Sequence, residues 1–142
     1  MRARLFLLDT NMVSYLVKGR SSAARERLLG LGEGEIACVS AVTEGEIRYG
    51  LAKRPDAVRL TNAVYAVLDG LEILPWSSLA ASVYGAMRAE NERRGTVAGN
   101  LDMLIAAHAL ATGSVLVTND KALQRLFGGP NTVNWATDLK AN

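Results

Sequence analysis

Four carboxylates in this chain stand where they could act together. Asp9 closes the apolar run Leu5-Phe6-Leu7-Leu8, Glu46 follows Ile36-Ala37-Cys38-Val39 by one short turn, and Asp120 follows Val115-Leu116-Val117. Asp102 stands just inside a helix expected to begin after Gly99. In an open parallel sheet, strand ends and the helix starts beyond them line a common crevice where ligands bind. Acids gathered there repel, by roughly 3 kcal/mol per pair at about 5 Å with an effective dielectric near 20. Such a cluster calls for a bound cation, and a set of oxygen donors suits Mg²⁺ or Mn²⁺ better than zinc. The chemistry to expect is metal-assisted.

Each acid also has a plain structural reading. Asp9 could cap the helix that starts near Asn11. Thr43-Glu44-Gly45-Glu46 fits a capping box in which Glu46 reaches back to the Thr43 amide. Asp102 and Asp120 sit in first turns of helices, where the dipole favours negative charge. Capping does not require helix starts to choose acids that converge on one crevice, so the shared context favours a site.

The elements needed to position these groups alternate along the chain. Arg4 to Leu8 reads as a strand covered on both faces. A helix follows from Asn11 to Lys18, stopped by Gly19. Ser21 or Ser22 caps another, with Ala24, Leu28 and Leu31 on one side, ending in the glycines of 30–34. Ile36 to Val39 is a strand, and Ala41 to Lys53 a helix that stops before Pro55. Asp56 to Leu71 has Val58, Thr61, Val64, Val67, Leu68 and Leu71 at helical spacing. Glu72 to Leu74 is a short strand. Leu79 to Arg94 is a helix with Leu79, Val83, Met87 and Glu90 on one stripe. Leu101 to Thr112 is an apolar helix, Val115 to Thr118 a buried strand, Lys121 to Phe127 a short helix, and Thr132 to Trp135 a last edge strand. This alternation predicts an α/β fold with a central parallel sheet flanked by helices, over one domain spanning 1–142.

Composition narrows the classes. The hydrophobic fraction of 49% and charged fraction of 21% are those of a globular protein rather than a disordered or membrane-spanning one. Leu5 to Leu8 is too short for the core of an export signal and runs straight into Asp9. The one cysteine, Cys38, lies in an apolar run, as suits a reduced thiol in a cytoplasmic protein. With the four candidate acids set aside, 16 basic residues face 10 acidic ones, a surplus of +6 that suits a phosphate-rich partner.

The residues around the acids form a recognisable set. Leu7-Leu8-Asp9-Thr10-Asn11 and Ser40-Ala41-Val42-Thr43-Glu44-Gly45-Glu46-Ile47-Arg48-Tyr49-Gly50 resemble the opening motifs of PIN-domain ribonucleases. Gly99-Asn100-Leu101-Asp102-Met103-Leu104-Ile105-Ala106-Ala107-His108-Ala109 and Val117-Thr118-Asn119-Asp120 resemble the third and fourth. Leu74-Pro75-Trp76 and Asn134-Trp135 are similar to the VapC-type toxins of toxin–antitoxin pairs. The turn into the third motif departs from the pattern, since many relatives carry glycine one position before Gly99.

This resemblance implies a PIN-like fold and a Mg²⁺-dependent endoribonuclease, with Mn²⁺ able to substitute, whose products end in 5′-phosphate and 3′-hydroxyl. It implies catalytic residues at Asp9, Glu46, Asp102 and Asp120, with Asp9, Asp102 and Asp120 holding metal. Glu44 competes with Glu46, but Glu46 lies four residues before Gly50, as the family's glutamate does. Thr10, Asn11 and Thr118 could orient carboxylates or water from behind. Arg48 and Arg88 could meet RNA or an antitoxin. The resemblance further implies an RNA substrate, with transfer RNA a first guess, a cognate antitoxin and a homodimer. Apolar stripes on 11–18 and 56–71 could serve as interfaces, although core packing is their ordinary use.

His108, six positions past Asp102, should point away from the acids and serve structure. Two other readings stay open. A haloacid-dehalogenase-like phosphatase would want an aspartate where Asn11 stands. A catalytically silent PIN-fold protein would only capture RNA or a protein partner.

Overall fold

Phe6 and Leu8 point to one side of a strand and Leu5 and Leu7 to the other, so this run needs a covered sheet on both faces. The computed structural model supplies that cover. It describes residues 2–96, 98–127 and 131–141. Along them run β1 (Arg4–Leu8), α1 (Thr10–Lys18), α2 (Ser22–Leu29), β2 (Glu35–Ser40), α3 (Ala41–Ala52) and α4 (Val58–Asp69). There follow β3 (Glu72–Leu74), α5 (Ser78–Arg93), α6 (Asn100–Thr112), β4 (Val115–Val117), α7 (Lys121–Phe127) and β5 (Thr132–Val133). The strands form one parallel sheet in the order β3-β2-β1-β4-β5, the α/β arrangement expected from the alternation.

On one face Phe6, Leu8, Val39 and Val117 pack against Met12 and Val13 of α1, Ala24 of α2 and Val64 and Leu68 of α4. On the other, Leu7, Cys38 and Leu116 meet Ile105, Ala106 and Ala109 of α6 and Leu123 of α7. Cys38 is buried, its thiol against the Phe6 carbonyl at 3.4 Å, and burial with the nearby Glu72 pushes its pKa up to about 12. Among the described residues no helix is long and apolar enough to cross a membrane.

The topology matters most at β1. From it the chain winds outward through β2 and β3 on one side, then returns to lay β4 and β5 on the other. The order reverses between β1 and β4, where an open parallel sheet leaves a crevice at its carboxyl ends. Leu7 pairs with Leu116 and Leu8 with Val117, so both strands end level at that crevice.

Several boundaries and faces differ from the sequence reading. The core-facing line of α5 runs through buried Ala80 and Asn91, with Met87 packed between, while Leu79 is 60% exposed. A small residue at position 80 lets this helix approach the core closely, which a count of large apolar residues does not register. Strand β5 stops at Val133 because the Asn134 side chain accepts from the Ala136 amide at 2.9 Å, turning the chain so that Trp135 enters the core. The stripes on α1 and α4 face each other in the core through Met12, Val13, Val64 and Leu68, while Val58 at the start of the α4 stripe is 66% exposed.

Candidate active site

Asp9 is the first residue beyond β1. Its N–H donates to the Val117 carbonyl of β4 at 3.0 Å, and its extended backbone opens α1. One carboxylate oxygen accepts from the Met12 amide at 2.8 Å, so Asp9 does cap the helix. The capping reading is met, and the same side chain stands at the switch point of the sheet. At 4% exposure the carboxyl has lost most of its water, and its pKa rises from 3.8 to about 6. Burial is the largest cause. Hydrogen bonds from the Thr118 hydroxyl and the Met12 amide pull the value back, and the negative charges of Asp102 and Asp120 raise it further.

Asp120 stands just past β4, on the other side of the switch point. Its N–H donates to Thr118 Oγ1 at 3.0 Å, and its Oδ1 accepts from the amides of Ala122 and Leu123 at 2.8 and 3.3 Å. Asp120 thus precedes α7 as its cap instead of lying inside its first turn.

Asp102 arrives from α6, on its third residue. The helix is preceded by Gly99, which offers no side-chain cap, and a Cβ added at Gly99 would lie 3.8 Å from Asp102 Oδ2. The carboxylate therefore folds back over its own helix start. Half-buried, it too has a raised pKa, from burial first and the charge of Asp120 second.

Glu46 is placed differently. It is exposed on α3 and lines a groove of about 290 Å³ with Thr10, Ser14, Lys18 and Leu60. The capping box expected at Thr43 does not form. Ser40 is the cap of α3, its Oγ accepting from the Val42 amide at 3.0 Å, and Thr43 lies inside the helix. The buried Thr43 hydroxyl bonds that of Thr10 at 3.2 Å, tying the helix of Glu46 to the residue after Asp9. Glu44 is held by Arg48, whose guanidinium donates to its carboxylate at 2.9 and 3.1 Å.

The donor set can be tested against a divalent cation. Asp9, Asp102 and Asp120 act on one another as like charges in a partly dehydrated crevice. Among the described residues no three of His, Cys, Asp and Glu are drawn close enough to enclose an ion by themselves. Mg²⁺ does not need that, since it keeps several waters and takes one or two carboxylates besides substrate phosphate. Mutually repelling oxygen donors in an open crevice fit such an ion.

The sequence profile of the PIN domain matches residues 6–127, spanning all four acids. The chain belongs to the PIN-domain family. This PIN domain is 33% identical over 131 residues to a tRNA(fMet)-specific endonuclease VapC from Shigella flexneri, covering 92% of this chain and 98% of the relative. Its fold matches VapBC2 from Rickettsia felis bound to a promoter DNA fragment, with a TM-score of 0.83, 30% identity, and coverage of 92% and 98%. DNA-bound VapBC from Salmonella typhimurium matches with a TM-score of 0.79, 34% identity, and coverage of 95% and 99%.

Around the acids of this PIN domain the remaining candidates divide. Thr118 is buried and touches both Asp9 and Asp120. Thr10 is half-buried beside Thr43, whereas Asn11 is exposed on the outer side of α1. Arg88 is exposed and bonds Tyr84 and Glu92 on its own helix. His108 is buried, its Nδ1 2.7 Å from Ser40 Oγ, with the Trp76 ring edge-on at 5.3 Å. Burial lowers its pKa, and a hydrogen bond with the Pro75 backbone partly offsets this.

Sequence reasoning did not pick out Asn119. Its buried side chain donates to the Lys140 carbonyl at 3.0 Å and accepts from Asn134 Nδ2 at 2.7 Å. An amide next to a candidate acid, flanked by buried strand residues, was the available signal.

Proposed function

We propose that this PIN domain is a divalent-metal-dependent endoribonuclease, the toxin of a toxin–antitoxin pair. The convergence of Asp9, Asp102 and Asp120 at the switch point of the sheet carries the reading. The VapC relatives, named as ribonucleases, support RNA as substrate, and the Shigella flexneri relative's name makes transfer RNA the first class to test.

Asp9, Asp102 and Asp120 would hold Mg²⁺, or Mn²⁺ in its place. The chemistry supplied there would be activation of water for attack and charge neutralisation at the scissile phosphate. Thr118 holds the Asp9 carboxylate through its hydroxyl and keeps Asp120 in place through its Oγ1. Glu46 orients the attacking water, and Thr10, held by Thr43, sets the spacing between Glu46 and Asp9. Cleavage in this sense leaves 5′-phosphate and 3′-hydroxyl ends.

A cognate antitoxin completes the system, as the VapBC complexes among the structural relatives support. The groove that holds Glu46 has an apolar floor of Val13, Leu51 and Leu60 and a rim of Lys18, Lys53 and Arg54, and suits a partner segment with apolar and acidic side chains. Homodimerisation, residence in the cytoplasm and one domain over 1–142 belong to the same proposal. Arg48 and Arg88 stand as contacts for RNA or antitoxin, although each is engaged by a glutamate of its own helix.

The test is cleavage of labelled total transfer RNA by antitoxin-free protein, with Mg²⁺, with Mn²⁺ and with EDTA, beside Asp9→Asn and Asp102→Asn. Metal-dependent cutting lost in both variants is expected. A folded protein that binds metal yet cuts no RNA would favour the silent, partner-capturing alternative.

A further inference from the structure

On the outer side of α1 lies an open depression of about 450 Å³, lined in part by Asn11, Tyr15, Lys18, Arg20 and Lys140. We propose that it is the track along which the RNA backbone runs past the acids. The proposal rests on the nuclease reading above and assigns it a binding surface.

Two connections tie the depression to the site. Asn11 is two residues past Asp9 on the helix that Asp9 caps. Lys140 is held through its carbonyl by Asn119, the residue before Asp120. The lining is thus anchored to both strands that meet at the switch point. From Asn11 to Lys18 the helix advances about 10 Å. That is long enough to follow a strand away from the cut, where a single phosphate pocket would be shorter.

Charge sets this surface apart from the basic positions that are already paired. Arg48, Arg88, Arg93 and Arg94 each pair with a glutamate three or four residues away on the same helix. Lys18, Arg20 and Lys140 are exposed and form no ion pair among the described residues. Arg20 sits over the Tyr15 ring at 5.7 Å from its centroid, an arrangement that leaves its charge available. The Asp138 carboxylate accepts from Ser21, Ser22 and the Ala23 amide and forms no ion pair with these cations among the described residues. The dipole of α1 accounts for a cation at Lys18, but not for Arg20 or Lys140 beyond the helix. Unpaired cations along a path leaving an acidic cleavage site match a ligand whose phosphates continue past the scissile one.

The test measures binding of a short fluorescent single-stranded RNA to the full chain in EDTA, across a range of KCl. Each phosphate contact on a single strand contributes about 0.7 to the slope of log affinity against log salt. Replacing Lys18, Arg20 and Lys140 together by Ala should lower that slope by about 2, and each single replacement by about 0.7. Lys18→Arg and Lys140→Arg should keep it, as should Arg93→Ala, whose exposed side chain is paired with Glu90. All three positions are exposed, and thermal melts check that the variants fold. With Mg²⁺, single-turnover cleavage should keep its rate at saturating RNA while the half-saturating concentration rises. An unchanged slope in variants of a chain that still cuts RNA would overturn the track alone and turn these cations over to a protein partner. A wild-type chain that neither binds nor cuts RNA would remove the nuclease reading and the track with it.

Discussion

The Thr118 hydroxyl donates to the Asp9 carboxylate. Its oxygen at the same time accepts the Asp120 amide at 3.0 Å. One buried side chain therefore couples the two acids that stand at adjacent strand ends, and fixes the orientation of the more buried one.

Thr118→Val keeps the shape and removes both bonds. Loss of such an orienting group usually costs about 10–100-fold in metal affinity or activity. A fall of that size in kcat/KM, with the melting temperature changed little and activity regained in Thr118→Ser, is the expected result. Full activity in the valine variant would show that Asp9 needs no such support.

Asp9 should burden the folded chain when no metal is present. Its carboxyl binds a proton up to about pH 6 when folded, against 3.8 as the ordinary value. Between those values the folded state holds more protons than the unfolded one, so stability falls as pH rises through this window. At 1.36 kcal/mol per pH unit the loss by neutral pH is about 3 kcal/mol. Asp9→Asn can still accept the Met12 amide and carries no charge. Urea unfolding in EDTA should find it more stable than wild type at pH 7 but not at pH 4, while RNA cleavage is abolished. Equal stabilities at both pH values would contradict this.

Glu44 and Glu46 can be told apart by single substitutions. Glu44 is engaged by Arg48 a turn away, whereas Glu46 faces the groove that reaches Thr10. Glu46→Gln should lower cleavage by roughly 10–100-fold, the size seen when a group positioning water or ligand is neutralised. Glu44→Gln should remain close to wild type, because an exposed pair of this kind is worth less than about 1 kcal/mol. The reverse ranking in kcat/KM would move the role to Glu44.

His108 should matter for folding. It is 1% exposed, bonded to Ser40 and packed under Trp76, so His108→Ala leaves a cavity and an unpaired Ser40 hydroxyl. We expect a loss of about 2–4 kcal/mol in urea unfolding. The folded fraction should cleave at near the wild-type rate. A stable variant without activity would give this residue a part in the reaction.

The strands were legible because a parallel sheet covered on both faces demands continuous apolar runs, and Leu5–Leu8, Ile36–Val39 and Val115–Val117 supply them. Convergence of Asp9, Asp102 and Asp120 followed from the same rule, since each stands just past a strand or just inside a helix. The α5 face was not legible, because Ala80 and Asn91 carry it and neither signals burial by hydrophobicity. Nor were the pairs Thr10–Thr43, Ser40–His108 and Asn119–Lys140, whose members lie 33, 68 and 21 residues apart. Short polar side chains carry no periodic signal, and only the fold decides whether they face a partner or water.

The strand order has a consequence for timing. β1 is made first and lies at the centre, but its neighbour β4 is among the last elements to be synthesised. Until Val117 arrives, the Asp9 amide lacks its acceptor, and until Thr118 follows, its carboxylate lacks the hydroxyl that aims it. A chain still on the ribosome, or cut short before this point, cannot assemble the cleft, so the capacity to cut RNA would be withheld from the translation machinery until β4 and Thr118 have been made.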